Sequence, residues 1–232
     1  MSWYPGAYAH DYGGTGACDP DSFVLHEVVN EVDIPEDGSP SNIASWVEGS
    51  RATQFYVDYD GDAEQYCSSD RGSSHCKDGN GHRLGIETED DKPQTSAQAN
   101  AGTWTARQCE RISDIIAWGN LTHGIPIRQM RTSRRDHIGV GYHRLGVPAI
   151  AGGHDGWPDG EVWTTSPGKP CPGDLRIAQV PAIVARAQVI SDGLRAGAFE
   201  LLGRGPFELD DALARGGTAG FDILRWIGNL AA

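Results

Sequence analysis

Among eight histidines, His26 stands out because it sits in an apolar run, Phe23-Val24-Leu25-His26-Glu27-Val28-Val29-Asn30. The run misses the helical zinc-protease signature H-E-x-x-H by one position, where Asn30 stands. Its aromatic and β-branched residues predict a strand instead. On a strand, Val24, His26 and Val28 share one face while Leu25, Glu27 and Val29 share the other. Glu27 then points away from His26 and cannot be the base beside a metal held by it. His26 is left with two readings, a satisfied core histidine or a ligand whose partners come from elsewhere. Cys171 is the second candidate. "GKPCPGD" places it between prolines and just before a helix, where the helix N-terminus and Lys169 favour a thiolate. Taken alone, it reads equally well as a small buried hydrophobe. His10, His82 and His123 lie in polar, turn-like contexts and are expected to be solvated. A zinc enzyme needs three such protein ligands and leaves the fourth position to water.

Composition narrows the classes. A formal net charge of -13 argues against a nucleic-acid partner, since phosphate binding needs clustered Lys and Arg. No apolar run approaches the roughly 20 residues of a membrane span, and no signal-peptide pattern opens the chain. The expectation is a protein made in the cytoplasm with no membrane partner. Seven Trp and a 38% hydrophobic fraction suffice for a packed core. Five cysteines are an odd count, so a complete disulfide framework within the chain is impossible. Cys67 and Cys76 flank "CSSDRGSSHC" and could pair in an oxidising medium, while the lack of a secretion signal favours free thiols.

The elements that must position these residues follow from periodicity and turn chemistry. Residues 1–21 read as an irregular entry segment. "SNIASWVEGS" predicts a short helix with Ser41 as N-cap. "TQFYVDYDGD" predicts a strand ending in an Asp60-Gly61 hairpin, with "AEQYC" as the return strand. "HRLGIETE" predicts another strand, with Leu84 and Ile86 on one face and Glu87 on the other. From Thr103 to about Gly124, Cys109, Ile112 and Ile116 recur at helical spacing. "IPIRQM" reads as a short strand and "IGVGYHRLG" as a Gly-rich turn. A last helix begins behind Asp174 and kinks or restarts at Pro181. Past Gly203 the chain becomes amphipathic and Gly-broken. Strands and helices intermix, so the fold class is α/β.

The order of the motifs carries a resemblance. His26 on its strand is followed by "YDGDAEQY", "SSHCKDGNGHRLGIETE", "GYHR" and "GKPCPG". This resembles the type-2 N-acetylmuramoyl-L-alanine amidases, whose fold is shared with peptidoglycan recognition proteins and phage lysozyme-amidases. Within that family it looks most like the amidase modules of endolysins from phages of actinobacteria. The resemblance implies a central mixed β-sheet flanked by helices, with one zinc ion in a surface groove. It implies His26, His143 and Cys171 as metal ligands, Glu87 as catalytic base and Lys169 as the cation that stabilises the oxyanion. It places His75 along the groove as a substrate contact, with Tyr142, Trp157 and Trp163 as further candidates near the insertion "AGGHDGWPDGEVW". That insertion separates His143 from Cys171 by more than compact members show, and it carries His154, a rival second ligand. Gly141-Tyr142-His143-Arg144 resembles the family motif better. A Tyr that some members carry on the second strand is absent near Thr53, which puts the base role on Glu87, with Glu89 next.

The implied activity is hydrolysis of the amide between N-acetylmuramic acid and L-alanine in peptidoglycan. The implied setting is phage-driven lysis, by a chain made in the host cytoplasm and acting on the cell wall. Residues 1–203 are expected to form the catalytic domain and 204–232 a tail or linker. A monomer is expected, and fusion to a cell-wall-binding module is compatible with the sequence. Two rivals remain open: a non-catalytic peptidoglycan-binding module, which in the family lacks the Cys, and a zinc peptidase cutting within the stem.

Overall fold

The computed structural model describes residues 2–28, 34–90, 102–148 and 159–203. The chain divides into two compact units, Met1–Gln188 and Val189–Ala232. The first holds everything discussed below. The described part of the second is the continuation of a helix to Gly203.

Among the described residues, six strands form one sheet: β1 (Tyr8–Ala9), β2 (Ser22–Leu25), β3 (Phe55–Val57), β4 (Ala63–Gln65), β5 (Arg83–Thr88) and β6 (Gly139–Tyr142). Their order is β1-β4-β3-β5-β2-β6. β2 lies parallel to both β5 and β6, and β3 lies parallel to β5 but antiparallel to β4. Every residue of β2, β5 and β6 is buried, as expected of parallel strands covered on both faces. The β3–β4 hairpin turns through Gly61 at φ +84°, a conformation open to glycine. The stretch 1–21 is less irregular than its composition suggests, because β1 pairs with β4 at the sheet edge.

The helices are α1 (Asn42–Ser50), α2 (Ala106–His123) and α3 (Asp174–Gly203), and the first two pack on the sheet. Neighbouring residues of β3 show how. Tyr56 packs with Ile43, Ala44 and Val47 of α1, whereas the Phe55 ring meets Trp118 of α2 edge-on at 5.8 Å. Adjacent strand residues face opposite ways, so α1 and α2 lie on opposite faces. α2 starts at a capping box in which Thr105 and Gln108 bond each other's backbone, and it ends at Gly124 with φ +73°. α1 begins behind Ser41, but the Ser41 hydroxyl donates to the Glu64 carboxylate rather than capping the helix. α3 runs on through Pro181 without restarting.

Two local expectations reverse. "IGVGYHRLG" supplies β6, while "IPIRQM" contributes only an isolated bridge between Gln129 and Val140. The glycines of β6 mark close packing rather than a turn. A Cβ on Gly139 would lie 2.3 Å from the Arg128 carbonyl oxygen, and one on Gly141 would lie 3.0 Å from the Met130 sulfur.

Candidate metal centre

Strand register builds the site. Leu25 pairs with Ile86 on one side and with Tyr142 on the other. One residue further along, the three parallel strands deliver His26, Glu87 and His143 side by side. All three project to the face opposite α2, where Val24, Gly85 and Gly141 also point. The carboxyl ends of parallel strands are where open α/β sheets place their ligands. Cys171 arrives from the loop before α3, and its carbonyl accepts the Arg144 N–H at 3.0 Å, tying it to the turn that carries His143.

Side-chain atoms of His26, His143 and Cys171 converge within 4.8 Å of one another, and all three residues are buried. His26 Nδ1 faces His143 Nδ1 at 3.1 Å. The outer nitrogens are engaged elsewhere, His143 Nε2 with the Trp163 carbonyl at 3.3 Å and His26 Nε2 with His75 Nδ1 at 3.1 Å. A carbonyl only accepts, so His143 carries its proton on Nε2 and turns a bare lone pair inward at Nδ1. His75 Nε2 likewise faces a carbonyl, that of Arg83, which leaves His75 Nδ1 to accept from His26 Nε2 and His26 Nδ1 bare. Two lone pairs aimed at each other beside a thiol repel unless a cation lies among them. The donor set, two imidazoles and one sulfur, suits zinc, and a neighbouring carbonyl on an outer nitrogen is the usual support for such a ligand. The residues present fit the ion.

Electrostatics agree. Burial holds His26 well below the ordinary histidine range, with His143, His75 and Lys169 adding to the effect. Burial, with Lys169, takes His143 down to about 3. These rings are therefore neutral, as ligands must be. Burial pushes the Cys171 thiol up to about 12, aided by Glu87 and opposed by Lys169, so the depressed thiol expected from the loop sequence is not met. Without a cation that sulfur keeps its proton; a coordinating metal removes it. Glu87 Oε1 stands 3.7 Å from His26 Nδ1, and burial lifts its carboxyl to about 7 against the pull of Lys169. Lys169 itself is exposed.

The expected substrate contacts need correction. Tyr142 falls on the α2 side of β6, one residue out of phase with His143, and is 7% exposed. Trp163 is 2% exposed, lies against Gly146, and has the Arg83 guanidinium 5.0 Å from its ring centroid. His75 is buried behind His26. None of the three offers a side-chain face to a polymer. Glu89, the reserve base, is turned away and accepts the Tyr59 N–H at 2.6 Å. His154 and Trp157 lie outside the described residues. His82 is not solvated but buried, with Asp21 at 3.2 Å and Glu161 at 2.8 Å. Cys67 and Cys76 are buried free thiols. Sequence reasoning missed the clamp on the third ligand: Arg176, 1% exposed, donates to the Pro172 carbonyl at 3.1 Å and pairs with Asp90. Among the described residues, no helix is long and apolar enough to cross a membrane.

Residues 16–174 match the family model described as N-acetylmuramoyl-L-alanine amidase. Similar solved structures include the N-acetylmuramoyl-L-alanine amidase LysC from Clostridium intestinale, at 14% identity and TM-score 0.47, covering 75% of this chain and 95% of that one. A mutant endolysin from Bacillus subtilis is similar at 17% identity and TM-score 0.47, over 76% of this chain and 92% of that one. The Staphylococcus aureus hydrolase AmiA, solved with its ligand, is similar at 16% identity and TM-score 0.48, over 83% and 82%. No curated protein matches in sequence.

Proposed function

The chain belongs to the N-acetylmuramoyl-L-alanine amidase family, and we propose that it works with one zinc ion held by His26, His143 and Cys171. It is a peptidoglycan amidase. The bond proposed for cleavage joins the lactyl carbonyl of N-acetylmuramic acid to the nitrogen of L-alanine in the stem peptide. The setting proposed is lysis of a bacterial host by a phage-encoded chain, a reading supported by the order of the motifs.

The observation that carries the zinc reading is the pair of Nδ1 atoms 3.1 Å apart beside the Cys171 sulfur. Zinc supplies Lewis acidity at such a site, acidifying a water toward a pKa of about 7 and polarising a carbonyl. The chain's own residues do the rest. Glu87, on the same face and 3.7 Å from His26, accepts the water's proton and returns it to the departing L-alanine nitrogen. The Lys169 ammonium, close enough to act on His26, His143 and Glu87, stabilises the negative charge that develops on the carbonyl oxygen. His143, fixed by the Trp163 carbonyl, holds its place while that charge forms.

Digestion of purified peptidoglycan tests the reading. New amino groups should belong to L-alanine, with no rise in reducing sugar ends; chelation should stop the release and added zinc restore it. Reducing ends would overturn the amidase assignment, and amino groups on another stem residue would move it to a peptidase.

A further inference from the structure

His75 has no assigned task once its place against the substrate is withdrawn, yet its surroundings are specific. Its Nε2 lies 2.9 Å from the Arg83 carbonyl oxygen, with the Cys76 sulfur a weaker neighbour at 3.5 Å. Since the carbonyl can only accept, Nε2 carries the ring proton and Nδ1 is left as an acceptor. That Nδ1 lies 3.1 Å from His26 Nε2, which must then donate. His26 keeps its lone pair on Nδ1, the atom that faces His143. One backbone carbonyl on β5 thus settles the tautomer of a ring two steps away.

The strand is shaped to admit this ring. A Cβ on Gly85 would lie 2.7 Å from His75 Cγ, so any side chain there displaces it. The His75 and His26 rings meet edge-on, with centroids 5.2 Å apart and planes at 81°, a geometry in which nitrogen meets nitrogen rather than face meeting face.

Building on the zinc-amidase reading, we propose that His75 is a positioning residue of the metal centre. Anchored by the Arg83 carbonyl, it holds His26 in the Nε2–H tautomer and so presents Nδ1 to the ion. Partners of this kind orient metal ligands and raise their basicity, and losing one lowers metal affinity by about 10–100-fold.

The test uses the full chain and two readouts besides activity. Long-range proton–nitrogen NMR on the zinc-free wild type should find both His26 and His75 as Nε2–H tautomers; a proton on His26 Nδ1 overturns the inference without any variant being made. Competition with a chromophoric chelator should then show zinc affinity falling about 10–100-fold in His75→Ala. His75→Gln should recover part of that loss, because its amide can accept from His26 and donate to the carbonyl. Equal affinity in wild type and His75→Ala overturns the inference and leaves the zinc reading intact, whereas a wild type that binds no zinc removes the reading itself. If zinc-free His75→Ala does not unfold cooperatively, Gly85→Ala replaces it and should weaken zinc in the same direction.

Discussion

The same three strands carry histidine chemistry at both ends, and the two ends behave in opposite ways. At the amino ends of β2 and β5, and just before β6, His82 sits among Asp21, Glu161 and Arg135, while the buried Arg83 guanidinium pairs with Glu161. At the carboxyl ends, His26 and His143 have carbonyl or imidazole partners on their outer nitrogens. Burial would lower His82, but hydrogen bonds to Asp21 and Glu161 outweigh it and the ring is driven toward the charged form. Burial at the other end meets no such opposition, and His143 falls to about 3. Burial is common to both ends. The partners separate them: His82 has a carboxylate on each ring nitrogen and becomes an ion-pair partner, while His143 has a carbonyl on its outer nitrogen and stays neutral with a lone pair to offer.

Variants at each end can break that contrast. The largest effect belongs to His143→Ala, which should lose stoichiometric zinc and detectable wall cleavage, while His154→Ala keeps both; metal analysis after gentle purification decides. Glu87→Gln should retain zinc and lower turnover roughly a hundredfold or more. Lys169→Ala should act in the same way through a lost oxyanion partner, raising the barrier by about 3 kcal/mol, read as kcat with zinc content unchanged. At the far end the readout is stability. Arg83→Ala leaves its backbone carbonyl in place but takes the guanidinium from Glu161, which keeps His82 and the Trp163 indole N–H, so denaturant unfolding should show a loss of about 2 kcal/mol with zinc affinity preserved. The smallest effect is the pH dependence of His82. Its raised pKa contributes stability below the unfolded value near 6.5 that is lost as pH climbs through the folded value. The opposing charge of Arg83 tempers this without reversing it. The wild-type melting temperature should therefore decline more steeply above neutrality than that of His82→Gln; parallel curves would mean the ring never charges.

Much of this was legible in residue order because the signals were local. Alternation around His26 and along "HRLGIETE" set the strands, and the separation of Glu87 from Leu84 and Ile86 set its face. The helical spacing of Cys109, Ile112 and Ile116 in α2 and the Asp60-Gly61 turn were equally plain. β6 was not legible, because Gly139 and Gly141 erase strand propensity to make room for Arg128 and Met130. Tyr142 was misplaced for lack of that strand, since only its register puts Tyr142 and His143 on opposite faces. His75 and His82 are buried against expectation for a different reason. Neither has a periodic context, and their partners lie on other segments: His26 for His75, Asp21 and Glu161 for His82. A local hint did exist, the glycine at position 85 inside a buried strand.

The pairing of Trp163 with Gly146 bears on how this chain can change. The Trp163 N–H donates to the Gly146 carbonyl at 2.8 Å, and Glu161 N–H to the Ser133 carbonyl at 3.2 Å. Gly146 and Trp163 are therefore held together by a backbone hydrogen bond, whatever number of residues separates them in sequence. Closing a chain costs free energy that grows only logarithmically with its length, about 0.6 kcal/mol per doubling. Residues added or removed between those two positions should cost little in stability, with His143 and Cys171 still tied through the Arg144 N–H and the Cys171 carbonyl.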